Sequence, residues 1–137
     1  MIWFRAILRR LWPAAKPGAY AEKLAAAFLK KQKYRILARN FRNAQGEIDL
    51  VAQAPDGRTI VIVEVKGSEP GTKAGGPRPE VRVNLQKQKQ LAALAMQMVR
   101  RHRLQDRPVR FDVIGVDLVE QGEPIIRHHV GAFESKW

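Results

Sequence analysis

Asp49, Glu64 and Lys66 stand in runs that are otherwise almost wholly aliphatic, GEIDLVAQA and TIVIVEVKG. Carboxylates and amines are among the side chains least often buried, so two apolar β-forming runs that carry them call for a chemical reason. Alternation along a strand places Ile60, Ile62, Glu64 and Lys66 on one face, and Val61, Val63 and Val65 on the other. Glu64 and Lys66 then lie about 7 Å apart along the strand. The preceding run puts Glu47 and Asp49 on one face in the same way. Asp56-Gly57 between the runs is a hairpin signal. A four-residue loop, 55–58, spares Pro55 a backbone donor that it lacks. That loop sets Asp49 opposite Glu64 and Glu47 opposite Lys66, with facing Cβ atoms about 5 Å apart. A loop of odd length would turn one set of side chains to the other face.

Two carboxylates that close repel each other unless they share a proton or a cation. With oxygen ligands alone, the fitting ion is Mg²⁺, or Mn²⁺ in its place. Such an ion polarises a phosphoryl oxygen and lowers the pKa of water. A neighbouring lysine orients the attacking water or neutralises charge that builds on the phosphate. The set suits hydrolysis of a phosphodiester. The plainer explanation is a cross-strand Glu47–Lys66 ion pair on a wet face, worth less than about 1 kcal/mol. The aliphatic neighbours argue against a wet face.

The elements that must position these residues can be read from pattern. AYAEKLAAAFLKK, from Ala19 to about Lys31, is rich in helix formers and carries an apolar stripe through Leu24, Phe28 and Leu29. Strands are expected from Tyr34 to Phe41, over EIDLVAQA and over TIVIVEVK. Residues 67–79 hold Gly67, Gly71, Gly75, Gly76, Pro70, Pro77 and Pro79 and read as a loop. A helix is expected from about Glu80 to Arg103, its apolar face formed by Leu91, Leu94, Ala95 and Met98. VRFDVIGVDL makes a fourth strand, and PIIRHHVG a short fifth near an edge. The order αβββαββ implies an α/β mixed sheet flanked by helices.

The chain has 137 residues, room for one domain with a real core. Its 25 Lys and Arg against 13 Asp and Glu give a net charge of +12. An excess of that size favours a polyanionic partner, nucleic acid or an anionic membrane surface. The absence of cysteine removes disulfides, thiolate nucleophiles and Cys-based zinc sites, and fits a reducing, cytoplasmic setting. His128 and His129 would point to opposite faces of a strand and make a poor metal pair; with His102 they read as structural or surface residues. No apolar run is long enough to span a bilayer. Residues 1–17 form a basic amphipathic extension, bounded by Pro13, Pro17 and Gly18, and residues 18–137 the domain. Arginines interrupt its apolar stretch, which excludes a secretory signal. Residues 1–12 could touch a membrane surface, although packing against the domain is the favoured expectation.

The ordered series GEID, VEVK and RFDV resembles the PD-(D/E)xK nuclease superfamily. AEKLAAAFLKKQKYRILARNFRNAQGEIDLVAQ, VIVEVKG, PEVRVNLQKQKQLAALA and RFDVIGV together look like the YraN family. That family is endonuclease-like and similar to archaeal Holliday-junction resolvases, and the likeness covers roughly residues 18–133. The resemblance implies a restriction-endonuclease-like αβββαβ core. It makes Asp49 and Glu64 the metal ligands, with the Val65 carbonyl a further ligand, and Lys66 the catalytic lysine. It places Glu22 where the relatives carry an acidic residue directed at the metal; read without it, Glu22 is a solvated helix residue. Glu47 would support Lys66 or a second metal, and Lys87 would contact phosphate, whereas Asp112 is assigned to the scaffold.

Two departures stand out. Ala21 replaces a glycine usual before the glutamate, which bears on how closely the helix approaches its neighbours. Ser68 replaces an arginine common two residues after the lysine, which puts a substrate contact in question. The expected activity is Mg²⁺-dependent endonucleolytic cleavage of DNA, branched or structured DNA included. Arg100, Arg101, Arg103, Arg107 and Arg110 are candidates for holding phosphates, and the resolvase likeness suggests a homodimer. The alternative is a non-catalytic nucleic-acid-binding module that keeps the fold. A third reading, a membrane-proximal adaptor, uses the basic face and residues 1–12.

Overall fold

Residues 18–68 and 83–134 are described by the computed structural model. Helix α1 (Ala19–Lys31) leads into strands β1 (Arg35–Asn43), β2 (Gly46–Gln53) and β3 (Ile60–Ser68). Helix α2 (Leu85–Arg101), β4 (Val109–Asp117) and β5 (Ile125–Phe133) follow. The five strands form one mixed sheet in sequence order, antiparallel throughout except that β3 and β4 run parallel. Parallel neighbours need a long crossover, and α2 lies within it. The result is an α/β fold, a mixed sheet flanked by helices, in the expected order αβββαββ.

The helices cover opposite faces of the sheet. Ala21, Ala25, Ala26 and Leu29 of α1 pack with Leu50, Ala52, Val61, Val63, Ile114 and Val116. Leu91, Ala92, Leu94, Ala95 and Met98 of α2 pack with Ile48, Val51, Ile60, Ile62 and Phe111. β3 is therefore buried on both sides, with Ile60 to Val63 all at 1% exposure or less. This explains its unbroken run of β-branched residues.

The β2–β3 hairpin takes the register read from its turn. Leu50 pairs with Val63, Val51 with Ile62 and Gln53 with Ile60, and the Ala54 N–H bonds to the Thr59 carbonyl at 2.9 Å. Asp56 fastens the loop by accepting from the Arg58 and Thr59 N–H groups and the Thr59 hydroxyl. The Thr59 hydroxyl first, then the two amides, lowers the pKa of Asp56 to about 2.

Several boundaries differ from expectation. α2 begins at Leu85 rather than near Glu80, because Asn84 caps it by accepting the Lys87 N–H at 2.8 Å. Gly67 and Ser68 belong to β3 rather than to a loop, since they continue the parallel ladder opposite Val116 and Asp117. β5 spans nine residues at the sheet edge instead of being short. It is fastened from within by Asp112, which is 1% exposed. That carboxylate accepts from Arg110 at 2.9 Å twice and from the Gly131 N–H at 3.0 Å, and meets His128 Nε2 at 2.7 Å. Burial alone would raise the pKa of Asp112, but hydrogen bonds from His128, Arg110 and Gly131 prevail and hold it below the ordinary value. The basic amphipathic extension expected at 1–17 and the segment 69–82 lie outside the described residues.

Gly67 shows why α1 can sit so close. A Cβ built there would meet the Ala21 Cβ at 2.8 Å, so the Ala21 methyl fills space that Gly67 leaves open. Gly67→Ala should therefore destabilise the protein by about 1–3 kcal/mol, the usual cost of overpacking. In an Ala21→Gly background the same change should cost much less. Urea denaturation of the four proteins measures the coupling; an equal cost in both backgrounds would show that the two positions do not share this contact.

Candidate functional site

The site forms where β2 and β3 part. Their pairing ends at Leu50 and Val63, and the next residues along are Asp49 and Glu64. Asp49 Oδ2 accepts the Val65 N–H at 2.8 Å, so its side chain reaches across the gap that the two strands leave. Glu64 follows the four most buried residues of β3 and is itself 7% exposed. As alternation requires, Glu64 shares the α2 side with Ile60 and Ile62, while Val61 and Val63 face α1.

Two lysines address the same oxygen. Lys66 Nζ and Lys87 Nζ each lie 3.7 Å from Glu64 Oε1. Lys66 comes two residues along β3, and Lys87 from the first turn of α2, where the Asn84 cap fixes the helix start. Lys87, expected to touch phosphate, is thus beside the carboxylate itself. Glu64 Oε2 is buried and has no hydrogen-bond partner. Burial, and next the charge of Asp49, raise the Glu64 pKa to about 7 even though Lys87 and Lys66 pull it down. An acid in that state lacks enough positive charge to be fully ionised at neutral pH.

Glu47 does not join this group as expected. Ile48 packs on the α2 side and Leu50 on the α1 side, two residues apart, so alternation is broken at Asp49. The break matches Asn40 on the neighbouring strand, whose φ is +53°. With β2 reversed, Glu47 leaves the face it was to share with Asp49. It meets Arg42 at 3.2 Å, and the Asn40 amide, oriented with its nitrogen toward the two carboxylates, donates to Glu47 Oε1 at 3.0 Å and to Glu22 Oε2 at 2.9 Å. Glu22 is therefore tied to the sheet rather than left as a solvated helix residue. Asn40 was missed in the sequence; the one signal for it was an Asn within a β-rich run, since Asn tolerates the left-handed region better than most residues.

The Ser68 side chain donates to Asp117 Oδ1 at 2.6 Å, and Arg127 of β5 grips the same carboxylate at 2.8 and 3.0 Å. A guanidinium thus approaches Ser68 from another strand. Arg100, Arg101 and Arg103 stand elsewhere, at the far end of α2, about 20 Å beyond Lys87 at the helical rise. Arg110 is bound to Asp112 and to the Tyr34 hydroxyl, and Arg107 to Gln53.

Among the described residues no group of three or more His, Asp or Glu side chains is arranged to hold a metal ion. An ion here would have two carboxylates, a backbone carbonyl and water, a donor set that Mg²⁺ accepts. The orphaned Glu64 Oε2 fits that role.

The model for "Uncharacterised protein family UPF0102" matches residues 21–116. A UPF0102 protein of Pelobacter propionicus is 44% identical over 117 residues, covering 85% of this chain and 81% of its own. One of Geobacter sulfurreducens is 41% identical, covering 85% and 88%. The chain belongs to the UPF0102 (YraN) family. The UPF0102 match runs from α1 through most of β4 and contains Glu22, Glu47, Asp49, Glu64, Lys66 and Lys87; β5 falls outside it. Among solved structures, Pyrococcus furiosus SfsA in complex with Ca²⁺ is 13% identical with a TM-score of 0.32, covering 84% of this chain and 62% of that one. No helix among the described residues is long and apolar enough to cross a membrane.

The raised Glu64 pKa has a measurable consequence. Between its ordinary value of 4.5 and about 7, the folded protein keeps a proton that the unfolded chain has lost. Stability contributed by this group therefore falls as pH rises through that window. In EDTA, carboxyl ¹³C titration should place Glu64 near 7, and Lys87→Met should move it higher. Glu64→Gln should flatten the fall in stability across the window. A Glu64 that titrates at its ordinary value would contradict this reading of its surroundings.

Proposed function

We propose that this protein is a Mg²⁺-dependent endonuclease that hydrolyses phosphodiester bonds of DNA, with branched or structured DNA as the substrate class. The observation that carries the reading is one buried carboxylate, Glu64, held beside Asp49 and faced by both Lys66 and Lys87. Structural ion pairs also bury carboxylates, but a buried polar atom without a partner is uncommon, and Glu64 Oε2 is one.

Asp49, Glu64 and the Val65 carbonyl would hold the ion, which would supply Lewis-acid charge to the phosphoryl group. Asp49 keeps its hold on the Val65 N–H, which fixes the carbonyl-bearing residue in line with the carboxylates. Lys66 orients the attacking water or meets the negative charge that grows on the phosphate. Lys87 approaches from α2, so a phosphate between the two amines would be neutralised from both sides. Glu22 and Glu47, joined through Asn40, form a second acidic locus beside β2 that supports this end of the sheet. DNA as partner fits the net charge of +12, and a homodimer would let two such sites act on a branched substrate.

Cleavage of linear, nicked and four-way DNA in Mg²⁺ or Mn²⁺ tests the reading. Wild type should cut at least one substrate, while Asp49→Ala, Glu64→Ala and Lys66→Ala should each lower the rate by at least about 10²-fold, the scale of losing one electrostatic group. Lys87→Ala should lower it by a smaller factor. Absence of metal-dependent cleavage on every substrate would overturn the enzymatic reading and leave a nucleic-acid-binding module on the same fold.

A further inference from the structure

Many of the described cations stand away from the carboxylates. The end of α1, the start of β1, the β2–β3 turn and the end of α2 all lie at the end of the sheet opposite Glu64. Lys30, Lys31 and Lys33 stand there on one side of the sheet, and Arg100, Arg101 and Arg103 on the other, all exposed. Arg58, exposed on the turn between them, donates to the Asp106 carbonyl at 3.4 Å. None of the six flanking cations forms an ion pair among the described residues. The carboxylates nearby are few: Asp56 is committed to its own turn, and Asp106 and Glu134 remain.

Helix dipoles explain part of this pattern. Cations in a last turn are favoured by the partial negative charge of a helix C-terminus, which covers Lys30, Lys31, Arg100 and Arg101. Lys33, Arg58 and Arg103 lie beyond either helix and need another reason. α2 separates this pole from Lys87 by about 20 Å, too far for one phosphate to meet both. Among the described residues the pole also lacks what an interfacial membrane contact uses, a continuous apolar face. The exposed large apolar side chains nearby, Leu37 and Val109 at 40% and 38%, are single and on different strands.

We infer that this pole is a second nucleic-acid contact surface, which grips the phosphate backbone of a duplex remote from the carboxylate site. Recognition there is by charge and carries no base readout. The two clusters, set apart by the thickness of the sheet, touch separate stretches of backbone. The surface stands on the placement of charge and does not require that the carboxylate site cut anything.

Binding of a duplex of about 30 base pairs, near three helical turns, tests this in EDTA across a range of salt. Full-length wild type is compared with the Lys30/Lys31/Lys33→Gln and Arg100/Arg101/Arg103→Gln variants. Thermal melts confirm that each is folded. Each glutamine variant should reduce the slope of log K against log salt by about 3, roughly one unit for every phosphate that is no longer neutralised. Unchanged slopes in both glutamine variants would overturn the inference. So would loss of binding to phosphatidylserine vesicles with DNA binding intact. If no cleavage is ever seen but the glutamine variants still lose slope, this surface stands and the nuclease reading falls.

Discussion

A carboxylate held at 7% exposure, directly after four residues buried on both sides, governs this end of the molecule. Burial of a charge is costly unless something opposite meets it, and Glu64 is met by Lys66 and Lys87 on one oxygen only. The surrounding architecture follows from supplying those partners. The β2–β3 hairpin must end where Asp49 can reach the Val65 N–H, and α2 must begin where Lys87 can reach Glu64. Asn84 sets that beginning, and the parallel β3–β4 pair obliges α2 to cross at that level.

The fold transmits this demand through close packing on the other face. Alanines along α1 bring the helix down on β3, and Gly67 receives Ala21 without a methyl of its own. Asp112, Arg110, His128 and Gly131 then tie the edge strand to β4, which keeps β5 and Arg127 in place beside Ser68. Along the sheet the molecule is polar in the electrical sense. Among the described residues, acidic groups gather at one end, and lysines and arginines without ion-pair partners at the other.

The sequence made the hairpin legible because its determinants are local. Asp56-Gly57 dictates a loop of even length, and that length decides which side chains of β2 and β3 face each other. The sides taken by Ile60 through Val65 followed from period-two alternation. Glu47 was misplaced because alternation fails at a single twist, where Asn40 adopts a positive φ and Ile48 and Leu50 fall into different layers. Nothing in the local pattern of GEIDLV reports what happens on the strand beside it. Lys87 was visible as a basic residue early in a helix, but its distance to Glu64 depends on where the helix starts. The position of Arg100, Arg101 and Arg103 relative to the carboxylates likewise emerges only once α2 is laid along the sheet.

A direct test of the central claim, that Asp49 and Glu64 form a divalent-cation site, is paramagnetic line broadening by trace Mn²⁺ in the ¹H–¹⁵N spectrum of the full chain. Broadening should centre on Asp49, Glu64, Val65 and Lys66, spread to Val113 opposite Glu64, and disappear in Glu64→Gln, while the β2–β3 turn around Asp56 stays sharp. Broadening centred on Asp56, Asp106 or another exposed carboxylate, or unchanged in Glu64→Gln, would show that the buried carboxylate serves the scaffold and binds no ion.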